Sequence, residues 1–264
     1  MNNLRMLTSK QVMEYFGAQP TVDSWYHYTS LDALINGIIG QNPEPQKEIC
    51  LWATHSQYMN DPSEFSMGIS LIDSMYDILG INNNTDLQQK WSCTKEFYKS
   101  CFLTCFSENA DSLPMWNMYG NNGQGVALEF HKGMPEVDNE YILKCEYTPD
   151  SIIQRIKDLK PKGTEYIATY IALLPFILKH SAYQYENEIR YVSNFPNIPT
   201  HFRCKNGKLI LYKKVYLEKG LLKSVTIGPS ANSELLENSL RLFLNERGFE
   251  NIPIKKSIIP YRCN

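Results

Sequence analysis

Apolar positions recur along the chain at two periods, and the switches between them mark out the elements. Residues 25–29 (WYHYT) read as a short aromatic strand, and Ser30 is placed to cap a helix over 31–39 that Gly40 would end. Residues 49–54 form a second strand. The Asn60-Asp61-Pro62 turn follows, with Pro62 suited to open a helix that runs to about residue 79. Asparagines at 82–84 make a polar loop before a helix over 86–99. Strands are predicted at 101–107, 125–130 and 141–147, then helices at 151–159 and 165–179, where Pro175 should kink the second. Residues 188–193, 209–217 and 221–227 are again β-like. A long amphipathic helix over 233–247 gathers Leu235, Leu236, Leu240, Phe243 and Leu244 on one side. The tail alternates around Ile254 and ends near Tyr261.

Strands and helices are interspersed without strict alternation, and no Pro-, Gly- or Ser-rich linker divides the chain. The expectation is α+β: a single domain over residues 1–264, built on a mixed, largely antiparallel sheet with flanking helices. Residues 1–24 read as an N-terminal helical extension with Ser9 as its cap.

Composition narrows the class. With 43% hydrophobic and 20% charged residues, the 264-residue chain is not a disordered one. Its 26 Lys and Arg against 28 Asp and Glu leave a net charge of -2, which excludes a wholesale basic nucleic-acid binder. No apolar run approaches the roughly 20 residues that span a bilayer. The N-terminus has neither a continuous apolar core nor a small-residue cleavage site. We therefore expect no membrane association and a cytoplasmic protein. Seven cysteines, an odd number without CxxC spacing, fit reduced thiols. Cys101 and Cys105 on one strand would lie roughly 13 Å apart, too far to share a zinc ion. No metal site is expected.

The charge is unevenly spread. Residues 151–223 hold 13 basic and 5 acidic side chains, an excess of eight positive charges. Lys205, Lys208, Lys213, Lys214 and Lys219 are interleaved there with Tyr212 and Tyr216. Such a stretch can guide a polyanion, or it can be a solvated sheet edge whose lysines discourage pairing.

No GxxxxGK[ST], GxSxG or HExxH motif occurs, and the glycines of GNNGQG (120–125) feed a strand, not a helix, so a dinucleotide fingerprint is excluded. Three clusters remain. In the first, Trp25, His27 and Thr29 share one face of a strand, with Tyr26 and Tyr28 on the other. His27 can bond ribose hydroxyls or a carboxamide, or simply be a satisfied structural histidine. In the second, Trp116 and Tyr119 lie three residues apart, near glycines, where they can stack a flat heterocycle or fill the core. In the third, an extended chain would point Glu186, Glu188 and Arg190 the same way. That trio is either a surface ion cluster or a site holding a carboxylate ionised against developing positive charge.

Taken in order, YHYTSLDALINGII, LWATHSQYMNDPSEF, FLTCFSENADSLPMWNMYGNNGQGVALEF and YENEIRYVS, with IGP and PYR beyond them, resemble an uncharacterised bacterial family related to the ADP-ribosyltransferase superfamily. The resemblance covers about residues 25–262. It implies a split sheet of ADP-ribosyltransferase-like type and a pocket for NAD, used as co-substrate without a metal. Matched onto this chain, it implies His27 as the ribose and nicotinamide anchor, with Tyr28 and Thr29 beside it. Tyr119 is the preferred aromatic, ahead of Tyr58 and Trp116. Glu188 is the catalytic glutamate, Glu186 completes an ExE pair acting on the acceptor, and Arg190 belongs to the same pocket. Asn60 and Asp61 look like a site loop; the alternative is a turn in which Asp61 simply caps the next helix. The implied activity is ADP-ribosyl transfer to a macromolecule, nucleic acid or protein, in a toxin or phage-defence effector with an antitoxin or regulatory partner. Alternatives are an NAD glycohydrolase and a catalytically silent nucleotide- or nucleic-acid-binding module. Two departures stand out: Tyr28 replaces a frequent glycine, and a clear Ser-Thr-Ser element is missing.

Overall fold

The computed structural model describes residues 22–39, 49–131, 141–231 and 234–261, apart from Pro62, Glu64, Asn194, Pro196 and Asn206. The Ser9 cap and residues 1–21 of the expected extension lie outside these residues, as do the Gly40 stop, the Pro62 helix start, Ser233 and Arg262. The fold is α+β. Among the described residues ten strands make one sheet: β1 (Ser24–Thr29), β2 (Ile49–His55), β3 (Phe102–Ser107), β4 (Val126–His131), β5 (Tyr141–Lys144), β6 (Glu188–Ser193), β7 (Thr200–Lys205), β8 (Lys208–Leu217), β9 (Leu222–Ile227) and β10 (Ile254–Lys256). The main path runs β10-β9-β4-β1-β3-β2-β8-β7, and β6 pairs with β3 and β5. Only β9 and β10 are parallel among these pairs.

Strand β3 is where the sheet forks. Along one edge it pairs with β6 through its whole length, from Phe102↔Ser193 to Ser107↔Glu188. Its other edge meets β2 only at Phe102 and Leu103, and β1 only at Ser107. Residues 104–106 are thus left unladdered on that edge, between the diverging β1 and β2.

Strand alternation divides the interior into two main cores. Leu103, Leu143 and Val192 face one, which is filled from helices α2 (Ser66–Ser74), α3 (Thr85–Tyr98), α5 (Pro149–Leu159) and α6 (Thr164–Ile177). Phe102, Phe106, Ile189 and Tyr191 face the other, with Leu240 and Leu244 of α7 (Glu234–Glu246). The α4 helix (Leu113–Met118) supplies Met115 and Trp116 to a third, smaller cluster around Tyr28. Gly68 lets α2 approach α6 closely, since a Cβ there would lie 2.6 Å from the Pro175 Cα.

Several expectations need correcting in detail. Ser30 caps α1 (Leu31–Ala33) through the Ala33 N–H, as the pattern implied, but the turn continues as a π-helix over Leu34–Ile38. The second long helix begins only at Ser66, because Phe65 takes a positive φ of 66° just before it. Strand β7 was not anticipated. Leu235, expected on the buried face of α7, is 78% exposed. Its neighbour Leu236 packs against the core instead.

Candidate active site

The chain leaves α6 at Ile177 and runs extended through Leu178, where Lys179 N–H donates to the Glu146 carbonyl. A 3-10 turn over Ser181–Glu186 follows, and Asn187, in the left-handed region at φ 41°, redirects the chain into β6. Asparagine tolerates that conformation better than most residues. Glu186 therefore precedes the strand. The extended-chain expectation that would align it with Glu188 and Arg190 by alternation is incorrect. The left-handed bend brings the two carboxylates together by another route.

They meet on Lys179, whose Nζ lies 2.5 Å from Glu186 Oε2 and 2.7 Å from Glu188 Oε2. Arg190 donates to the same Glu188 oxygen at 2.9 Å and to the Phe176 carbonyl at 3.0 Å. The Cys145 thiol lies 3.6 Å from Glu188 Oε2, and the Tyr147 hydroxyl accepts from Glu188 N–H. Every charged member of this cluster is at most 5% exposed. Two carboxylates against two cations make it neutral, as burial at this depth demands. Despite desolvation, the Arg190 and Lys179 charges hold the Glu188 carboxyl well below the usual carboxylate range. Lys179, Cys145 and Tyr147 were not singled out from sequence. The available signal was a lone lysine closing the apolar run IALLPFIL.

Glu186 differs from Glu188 in what its second oxygen meets. The Tyr119 hydroxyl donates to Glu186 Oε1 at 2.7 Å, and exposed Asn60 donates to the Tyr119 oxygen at 3.2 Å. Burial and the neighbouring carboxylate push the Tyr119 phenol far above its ordinary value, so it remains a donor. Asn60, Tyr119 and Glu186 thus form a chain from the surface into the cluster.

The other expected site residues lie apart from this chain. His27 Nδ1 lies 3.0 Å from the Cys105 carbonyl in the fork, across β3 from β6. A carbonyl only accepts, so Nδ1 carries the proton and Nε2 keeps its lone pair. Burial lowers the basicity of this imidazole, with a further push from the Arg203 charge. Trp116 is fully buried, edge-on to Tyr28, and donates to Asp111 at 2.6 Å. The expectation that its ring could stack a ligand is incorrect, because core neighbours already cover it. Tyr28 donates to the Asn109 carbonyl, and Thr29 is buried at the end of β1. The Tyr58 ring packs on His55. Asp61 accepts from Ser63 N–H and Oγ, an Asx turn, and lines a groove of about 690 Å³ with Phe65, Ser92 and Lys95.

The expected lysine stretch is not a continuous basic surface. Lys213 is 7% exposed, bonds the Phe195 carbonyl at 2.6 Å and lies over the Phe102 ring. Lys219 covers Phe249, and Tyr212 is nearly buried. Lys213→Glu should therefore act on folding, by placing an anion among apolar rings. A loss of several degrees in the thermal midpoint is expected, and an unchanged melt would contradict this burial. Among the described residues, no group of three or more His, Cys, Asp or Glu could hold a metal ion. Likewise, no described helix is long and apolar enough to cross a membrane.

Residues 115–191, from α4 into β6, match a family described as a protein of unknown function, DUF2971. The matched segment contains Tyr119, Lys179, Glu186, Glu188 and Arg190. No curated protein and no solved structure matches the chain.

Proposed function

We propose that this protein binds NAD and breaks its nicotinamide–ribose bond, transferring ADP-ribose to a macromolecular acceptor. The observation that carries the proposal is the buried pair Glu186 and Glu188, joined through Lys179 and reached from the surface through Asn60 and Tyr119. Cleavage of that bond sends both electrons to the pyridine nitrogen, which leaves neutral, so the leaving group needs no acid. Positive charge develops on the sugar, as in glycoside hydrolysis, and an ionised carboxylate stabilises it there. The acceptor then bonds the anomeric carbon and gives its proton to a carboxylate.

The hydrogen bonds favour a different division of labour from the one the sequence resemblance implies. Glu188 Oε2 is occupied by Lys179, Arg190 and Cys145, so Glu188 meets both cations, whereas Glu186 shares Lys179 through Oε2. Among the described residues Glu186 Oε1 meets only the neutral Tyr119 hydroxyl, which a ribose hydroxyl can replace. Glu186 is therefore the carboxylate assigned to the sugar. His27 Nε2, an acceptor in the fork, suits a second ribose hydroxyl.

The test is incubation of the purified protein with NAD labelled on the adenosine side, in the presence of RNA and of a protein lysate. Nicotinamide release with label retained on a macromolecule supports transfer. Release without retention indicates a glycohydrolase, and the absence of release in every mixture overturns the proposal.

A further inference from the structure

The fork contains a cation that the proposed chemistry leaves unused. Arg203 on β7 lies over the rings of Trp52 and Tyr212, with its guanidinium carbon 5.1 and 5.6 Å from their centroids. It donates through one terminal nitrogen to Thr54 Oγ1 at 2.9 Å, and its buried Nε–H has no acceptor. No carboxylate pairs with it among the described residues. Thr54 pairs with Leu103 of β3, which places this group beside the unladdered stretch where His27 sits. Lys214, opposite Trp52 in the β2–β8 ladder, shares the same face.

A half-buried guanidinium without a counter-ion is costly, because partial desolvation is not offset by an opposite charge. The contrast within the molecule is instructive. Arg190 has Glu188, and Arg155 pairs with Glu146, whereas among the described residues Arg203 meets only rings and a hydroxyl. Stacking on aromatics fixes the plane of a guanidinium while leaving its N–H edge free to receive an anion. The planar fork of donors matches phosphate in particular.

We propose that Arg203, positioned by Trp52, Tyr212 and Thr54, binds the phosphate groups of a nucleotide whose ribose reaches His27. The identity of that nucleotide as NAD rests on the function proposed above; the phosphate site itself does not.

Calorimetric titration of the full chain with inorganic pyrophosphate, ADP and NAD should show binding to all three. Arg203→Gln should weaken each about 10- to 100-fold, the loss expected for one charge-assisted bidentate contact. Arg203→Lys should fall between, and adenosine should not distinguish the forms. Should Arg203→Gln fail to fold, the native protein provides the readout. Phenylglyoxal modification of Arg203, mapped by mass spectrometry, should be blocked by pyrophosphate. The proposal is overturned if the wild type binds none of the phosphate ligands, if Arg203→Gln binds them equally, or if pyrophosphate leaves Arg203 unprotected. Retention of oligonucleotides alone also overturns it, in favour of a nucleic-acid surface. Arg203-dependent pyrophosphate binding in a protein that never releases nicotinamide would uphold the phosphate site while removing the transferase reading.

Discussion

Glu186→Gln is expected to slow nicotinamide release about 100- to 1,000-fold, the usual cost of deleting one electrostatic contact to developing charge. The substitution keeps the length of the side chain and an acceptor oxygen for Tyr119, and Lys179 retains Glu188 as a partner. What it removes is the negative charge opposite the sugar. NAD affinity should change far less, because a charge that matters only as the bond breaks contributes to kcat more than to KM. Tyr119→Phe is the companion measurement. It deletes the hydroxyl that a ribose hydroxyl would displace, so its turnover should stay within about tenfold of the wild type by the same reasoning. Wild-type turnover in a folded Glu186→Gln protein would remove the residue from the chemistry.

The parts of the fold that were legible in the sequence are those where local pattern and tertiary packing agree. The WYHYT strand, the Ser30 cap and the α+β class follow from alternation and capping chemistry that the core then reinforces. Strand β7 is legible only in hindsight: THFRCK alternates Phe202 and Cys204 with His201, Arg203 and Lys205, but these apolar positions cover no core, Phe202 being 59% exposed and Cys204 exposed at the sheet edge. Glu186 shows the same limit within the site. Its residue type and its closeness to Glu188 were readable, whereas the left-handed Asn187 that turns it inward depends on the Asn109 contact from a distant loop. Lys179 is the sharpest case. The apolar run IALLPFIL before it hints at burial, but nothing local names its two carboxylate partners, which are seven and nine residues away. In the sequence Arg203 is one more positive charge in a basic stretch. Its distinction comes from Trp52 and Thr54 on β2, about 150 residues earlier by the sequence numbering.

Charge balance within the buried cluster leads to the last prediction. Removing one member strands its partner, so Glu188→Gln and Arg190→Met should each destabilise the fold by about 3–5 kcal/mol, the usual cost of breaking a buried ion pair. The double variant Glu188→Gln with Arg190→Met keeps the remainder, Lys179 and Glu186, neutral. It should therefore recover part of the loss, and a coupling of about 1–3 kcal/mol is expected in a double-mutant cycle read from urea denaturation. Acid should act through the same group. The folded-state pKa of Glu188 is depressed, so its contribution is fully present above the unfolded carboxylate value of roughly 4.3 and is lost as pH falls toward the folded one. Glu129, held at about 2 by hydrogen bonds from Lys255, Ser224 and Lys223, adds to the same acid-side loss. Wild-type stability should fall steeply below about pH 4.3, and Glu188→Gln, already missing that proton uptake, should lose less over the same interval. Single variants as stable as the wild type, or parallel acid profiles for wild type and Glu188→Gln, would mean that Lys179 and Arg190 are balanced by something other than Glu188.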